Sequence, residues 1–214
     1  NGLSAISPNG GILWTNTSLK GMYYSKIMID RDDNVYTFVQ NSDLVKTDKS
    51  GTVVWQKNYS FPSAGIVMDG FGNIYFVGYS DYKLYCLNQL GETRWTKSGA
   101  NGYSSPVITS KNDIIASIGS NVISFDTSGA ENWRCHPFNN LLGAEGLLLD
   151  DADNVYYIGD GSPSPILAGS ISSLGSKKWE VPTNLFVSLP PPVLLPQGRM
   201  VVAPKRAGGI QSVN

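Results

Sequence analysis

Apolar positions along this chain come in short runs, each broken after a few residues by Gly, Asp, Asn or Pro. Three kinds of run recur. Gly65-Ile66-Val67-Met68 and Pro106-Val107-Ile108 are continuously apolar, as expected of an inner strand packed on both faces. Asn73-Ile74-Tyr75-Phe76-Val77 is rich in aromatic and β-branched residues, the composition of a half-buried pleated strand. Lys83-Leu84-Tyr85-Cys86-Leu87-Asn88 and Val122-Ile123-Ser124-Phe125-Asp126 form a third kind, which leads through a Gly turn into a strand carrying Trp. No segment sustains an apolar period near 3.6 residues, so no helix of consequence is expected.

These runs belong to one repeat. All five tryptophans of the chain, Trp14, Trp55, Trp95, Trp133 and Trp179, fall in a Gly-x-x-x-Trp context, with the glycines at 10, 51, 91, 129 and 175. A second motif runs in phase. Asp30-Arg31-Asp32-Asp33-Asn34-Val35-Tyr36 recurs as Asp69-Gly70-Phe71-Gly72-Asn73-Ile74-Tyr75 and as Asp150-Asp151-Ala152-Asp153-Asn154-Val155-Tyr156. Weaker copies start at Thr109 and Leu195.

Four antiparallel strands per repeat, at a period of about 40 residues, is the signature of a β-propeller blade. One four-stranded sheet cannot bury both of its faces, whereas a ring of sheets can. The expected fold is therefore all-β: one domain over residues 1–214, a propeller of four-stranded antiparallel blades, five in number. The recurring Trp is expected to fill the space between neighbouring blades. Residues 2–7 match a third strand and 11–16 a fourth, while 193–195 and 199–203 match a first and a second. The N-terminal strands are thus expected to join the C-terminal blade and close the ring. Residues 209–214 also look like a third strand and duplicate 2–7. Either they compete for that place, or the chain was cut from a longer propeller.

The order Ser104-Ser105-Pro106-Val107, a Gly or Asp turn, an Ile-Tyr strand, Leu84-Tyr85-Cys86-Leu87-Asn88 and Gly91-x-x-x-Trp95 resembles the PQQ-type (quinoprotein-like) propeller repeat. The resemblance covers nearly the whole chain, most clearly residues 50–135. It implies the fold more than a function, because such repeats occur in quinone-dependent dehydrogenases and also in scaffolds that bind no quinone. The dehydrogenases normally add a larger ring, a bound calcium and a catalytic Asp, and in some of them adjacent cysteines form a vicinal disulfide. Here Cys86 and Cys135 lie far apart, and no convergent acid, metal and cofactor cluster is found. The Gly-His and Trp-Asp pairs of WD40 repeats are absent.

Composition adds exclusions. Charged residues are 15% of the chain, the net charge is −1, and there are 23 Gly and 12 Pro. Such a balance gives no electrostatic reason to expect nucleic acid or an anionic membrane. No run of 18 apolar residues is present, so no membrane span is expected. The chain begins Asn1-Gly2-Leu3, without an initiator Met or signal peptide, as a processed product or excised domain does. Cys86 and Cys135 occupy non-equivalent places in the repeat and read as two partly buried thiols. Asn16-Thr17-Ser18 and Asn58-Tyr59-Ser60 fit the glycosylation acceptor pattern, which points weakly to a secreted or extracytoplasmic setting.

Candidate chemistry is sparse. Asp30-x-Asp32-x-Asn34 looks like the first half of a calcium loop, but the later carboxylate is missing and the equivalent turns lose the middle acid. Turn-forming Asx residues account for all three. His136, the lone histidine, has no nucleophile partner legible in the sequence. No catalytic residue, metal site or cofactor is assigned. In a propeller the second-to-third and blade-to-blade connections share one face, and here those are the longer, more variable loops. Tyr79, Asp81, Tyr82, Asn101, Tyr103, His136 and Asn139 lie in them. Tyr and Asn supply flat apolar area with paired donors and acceptors, which suits recognition. The expected function is a non-catalytic binding or scaffold module for a protein or carbohydrate ligand. The alternatives are a PQQ-dependent dehydrogenase-like domain or a fragment of a larger propeller. Nothing in the sequence specifies an oligomeric state.

Overall fold

The structure is a computed structural model that describes residues 2–21, 26–59, 65–101, 104–137, 144–159, 166–183, 192–202 and 211–213. Of the predicted site residues, Tyr103 and Asn139 lie outside the described residues.

Among the described residues, six antiparallel sheets follow one another along the chain. Sheet I pairs β1 (Leu3–Ile6) with β2 (Ile12–Asn16). Sheet II comprises β3 (Ile27–Ile29), β4 (Val35–Val39), β5 (Asp43–Thr47) and β6 (Val53–Asn58). Sheet III comprises β7 (Val67–Met68), β8 (Ile74–Gly78), β9 (Lys83–Leu87) and β10 (Thr93–Ser98). Sheet IV comprises β11 (Val107–Ile108), β12 (Ile114–Ile118), β13 (Asn121–Phe125) and β14 (Glu131–Cys135). Sheet V comprises β15 (Ala144–Leu149), β16 (Val155–Gly159), β17 (Leu167–Ile171) and β18 (Lys177–Pro182). Sheet VI comprises β19 (Val193–Leu195), β20 (Arg199–Val202) and β21 (Gln211–Val213). The four inner sheets are the four-stranded blades that the repeat predicts. Among the described residues, helical structure is confined to single turns at Gln40–Ser42 and Pro196–Gly198.

The ends add a finding. β21 lies along β20 with Met200 opposite Val213 and Val202 opposite Gln211. The duplicated segment therefore sits in the third-strand place of the last sheet, while β1 pairs with β2.

The core is a series of layers between consecutive sheets. Tyr36 and Phe38 of sheet II pack with Ile74, Phe76 and Leu87 of sheet III. Tyr75 and Leu84 of sheet III pack with Ile114, Ile123 and Phe125 of sheet IV, and Ile115 and Cys135 pack with Leu147, Tyr157 and Ile171 of sheet V. Second strands are buried along nearly their whole length because both their faces meet a neighbouring sheet.

The tryptophans lock these layers. Trp55 donates its indole N–H to the Gln89 carbonyl at 3.0 Å, in the third-to-fourth turn of the next sheet. Trp14 does the same to Lys49 at 2.8 Å, Trp95 to Thr127 at 3.1 Å and Trp133 to Ser173 at 3.1 Å. Each ring lies on the glycine of that turn. A Cβ at Gly51 would stand 2.5 Å from the Trp14 ring, and one at Gly129 would stand 3.0 Å from Trp95. These glycines also have φ near +85°, a conformation that disfavours any residue with a Cβ. The motif thus joins two different repeats: the Gly of one receives the Trp of the preceding one.

Candidate functional site

At the end of the sheets that carries the first-to-second turns, the Asp motif is a self-contained cradle. Asp69 Oδ1 accepts the backbone N–H groups of Phe71 and Asn73, both at 2.9 Å. Its Oδ2 accepts from Asn73 Nδ2 and Tyr75 Oη, both at 2.7 Å. Asp30 and Asp150 repeat the pattern with Asn34 and Tyr36, and with Asn154 and Tyr156. Burial works against the charge of Asp30 and Asp150, but these donors outweigh it and hold both carboxyls below the usual range. The donors account for the whole motif, including its Asn and Tyr, as a turn that anchors the second strand.

Bonds between turns are a feature the sequence reading missed. Gly70 N–H donates to Asn112 Oδ1 at 2.7 Å, joining sheets III and IV. Asp153 accepts from Ser110 N–H at 2.9 Å and from Ser110 Oγ at 2.6 Å, joining IV and V. A cavity of about 400 Å³ opens here between the ends of three first strands, with Ile29, Met68 and Ile108 as apolar walls and Arg31, Gly70 and Asn112 at its rim. The side chains of Asp30, Asp69 and Asn112, which also reach it, are already bonded within the turns. The signal available in the sequence was the recurrence of a large apolar residue just before each turn.

The opposite end carries the predicted loop residues, and the fold brings four of them together at the junction of sheets III and IV. Tyr79, Asp81 and Tyr82 form the turn between β8 and β9. Asn101 follows β10, and the two segments are tied by Ala100 N–H donating to the Tyr82 carbonyl at 2.8 Å. The rings of Tyr79 and Tyr82 lie 6.4 Å apart. Tyr82 is 54% exposed and is held at φ +53°, a left-handed conformation that costs a bulky residue free energy. Asp81 accepts a 2.5 Å bond from Tyr85 Oη and lies 3.8 Å from the Lys83 ammonium, while its Oδ1 is enclosed without a partner. Burial, reinforced by Asp81, pushes the Tyr85 phenol up to about 12, so it stays a donor at neutral pH.

Asn101 has a second role. Its Nδ2 donates to the Ala144 carbonyl at 3.0 Å, and its backbone N–H donates to Ser117 at 2.9 Å. It therefore fixes the crossover between blades as well as lining the rim. His136 follows β14 of sheet IV and is exposed. Its Nδ1 lies 3.1 Å from Asn121 Oδ1 and 3.3 Å from Ser120 Oγ. The fold thus supplies a serine that the sequence did not pair with it. Nδ1 serves both neighbours, and a proton there bonds Asn121 and leaves no base toward Ser120.

Cys86 and Cys135 are free and buried, and burial raises both thiols, Cys86 to about 11. Of the acceptor-pattern asparagines, Asn16 donates to the Gly51 carbonyl at 2.9 Å, and Asn58 donates to the Asn41 carbonyl and to Asp43. Among the described residues, no three of His, Cys, Asp and Glu converge as metal ligands, and no helix is long and apolar enough to cross a membrane.

No family model and no curated protein sequence matches this chain. Solved structures do. A catalytically inactive virginiamycin B lyase from Staphylococcus aureus, solved with quinupristin, is similar over 99% of this chain and 73% of its own, with a TM-score of 0.70 at 16% identity. BamB from Moraxella catarrhalis is similar over 93% of this chain and 72% of its own, with a TM-score of 0.55 at 14% identity. The C-terminal WD40 domain of Sif2 is similar over 93% of this chain and 59% of its own, with a TM-score of 0.68 at 11% identity. Likeness at these identities carries architecture alone: four-stranded antiparallel sheets stacked side by side, with consecutive sheets from I to V joined by a Trp on a Gly turn, are a β-propeller fold.

Proposed function

We propose that this propeller is a non-catalytic binding or scaffold module, and that its ligand, a protein or a carbohydrate, meets the face bearing Tyr79, Asp81, Tyr82 and Asn101. One observation carries the reading. Tyr82 is a large ring, mostly exposed, kept in an unfavourable backbone conformation beside a second Tyr. Packing of the blade does not require an aromatic ring there: the corresponding positions before β5 and β13 are Ser42 and Ser120, and Ser42 takes the same left-handed backbone at φ +65°. A preformed aromatic surface with adjacent carboxylate and amide groups suits recognition with little ordering cost. An extracytoplasmic or secreted setting belongs to the same reading and rests on the acceptor-pattern asparagines.

A glycan array run beside a pull-down separates the two ligand classes. Tyr82→Ala is expected to weaken binding at least tenfold, with folding intact. Asp32→Ala, exposed on the opposite face, is expected to leave it unchanged. Loss of binding from Asp32→Ala alone would place the ligand on the other face. Asp153 is unsuited as a control, because its carboxylate joins two sheets.

A further inference from the structure

The first-to-second turns of sheets II to V follow one backbone course. The fourth residue of each, Asp33, Gly72, Asn112 or Asp153, is left-handed, with φ between +59° and +83°. At two junctions the side chain of that residue reaches back to the second residue of the preceding turn. Asn112 Oδ1 accepts the Gly70 N–H at 2.7 Å, and Asp153 accepts the Ser110 N–H at 2.9 Å and the Ser110 Oγ at 2.6 Å. Between sheets II and III the residue in the reaching place is Gly72, which has no side chain to offer. The second residue of the preceding turn is then Arg31. Among the described residues, neither its backbone N–H nor its guanidinium has a hydrogen-bond or ion-pair partner.

The cavity of about 400 Å³ opens at this untied junction, over the apolar walls Ile29, Met68 and Ile108. Its polar side chains offer donors and no free acceptor. Asp30 and Asp69 each already accept from four donors within their own turns. Asn112 Oδ1 is taken by Gly70, which turns Nδ2 into the remaining donor of that amide, without a partner among the described residues. Arg31 adds a cation at the same rim. The other acids of its turn, Asp32 and Asp33, stand outside the lining.

We propose that this cavity is a binding site, separate from the loop face, for a small molecule that carries a carboxylate on an apolar body. The carboxylate accepts from Arg31 and Asn112, in the role that Asp153 plays toward Ser110 one junction further on. The apolar body lies on Ile29, Met68 and Ile108. The fold already holds a carboxylate in such a place: Asp153 sits on Ser110 although Asp150 and Asp151 share its turn. Arg31 is a stronger partner than Ser110, because a guanidinium meets a carboxylate with two parallel, charge-assisted bonds. A volume of about 400 Å³ is at the small end of ligand pockets, which suits a small molecule rather than a peptide.

The test titrates the full 214-residue chain with octanoate and 4-phenylbutyrate, and with the alcohol corresponding to each, followed by NMR of the added compound. The expected result is saturable binding of at least one acid with a Kd below about 1 mM, at least tenfold tighter than its alcohol. Arg31 is exposed and unpaired among the described residues, so Arg31→Gln should fold with an unchanged melting midpoint. It is expected to weaken the acid at least tenfold and to leave the alcohol as it was. Gly72→Asn supplies the missing acceptor from within the chain. Asn tolerates the left-handed backbone, and only the flexible Gln89 side chain stands within contact of the new Cβ. This variant, once shown to be folded, should also weaken the acid at least tenfold. Equal affinity for acid and alcohol, no saturable binding of either acid, or an acid Kd unchanged in Arg31→Gln would each overturn the proposal.

Discussion

At the scale of single residues, the aspartate that opens the first-to-second turns of sheets II, III and V does the most to define the strand that follows. One carboxylate satisfies two backbone N–H groups, an amide and a phenol, which would otherwise be partly enclosed without partners. For Asp30 and Asp150 the folded-state carboxyl lies below its ordinary value. A depressed carboxyl stabilises the fold fully above the unfolded value, near pH 4, and that contribution is lost as pH falls through the folded value. Asp150→Asn is expected to cost about 1–2 kcal/mol at pH 7, because the new amide faces the Asn154 amide donor. It should also flatten the acid limb. Urea midpoints measured from pH 7 to pH 2 test both statements; an unchanged acid slope in Asp150→Asn would refute the second.

At the scale of elements, the hairpin of third and fourth strands carries the inter-sheet joint. All five of these hairpins have a register shift just before or at the Trp, as at Thr93/Trp95 and Lys46/Thr47. A bulge of this kind bends the strand and re-aims its side chains, here turning the indole toward the next sheet's glycine. Trp95 and Gly129 should therefore behave as one unit. Trp95→Ala is expected to cost about 2–4 kcal/mol through lost packing and the lost bond to Thr127. Gly129→Ala should cost about 2–3 kcal/mol, from its φ of +87° and its Cβ 3.0 Å from the ring. In the double variant the ring contribution disappears, so the costs should fall short of additivity by at least 0.5 kcal/mol. Additive costs in a urea-denaturation cycle would remove the lock from the account of this hairpin.

At the scale of the whole molecule, stability is a chain of neighbour contacts, as in other repeat architectures. Sheet I is the first of that series. Leu19, Val39 and Val45 are buried at its boundary with Leu3, and Thr47 is enclosed beneath Trp14. Deleting residues 1–16 would expose this layer and the edge of sheet II, an invitation to association. The expected outcome is a melting midpoint at least 5 °C lower, with increased aggregation. A truncated chain that melts like the intact one would show that sheet I contributes nothing to the rest.

Much of this was legible in the residues, and the reason is the period. Gly-x-x-x-Trp and Asp-x-x-x-Asn-x-Tyr recur because each repeat solves the same packing problem, so blade, strand order and interlocking Trp could be read without coordinates. What could not be read joins residues one repeat apart. Asn101 bonding Ala144, Asp153 bonding Ser110 and Asn112 bonding Gly70 each span about one period. No local pattern announces such a bond, because it depends on how far one sheet is rotated against the next. The loop site shows the same limit. Departure from the repeat singled out Tyr79, Asp81, Tyr82 and Asn101, but only the fold separated an exposed ring from an amide that holds the crossover, and set Ser120 beside His136. The local sequence determined which strands and turns form, since hydrophobic alternation and turn chemistry act within a few residues. The tertiary structure alone decided which of the two similar segments lies along β20, because residues 2–7 and 209–214 carry the same pattern and nothing local to either distinguishes them.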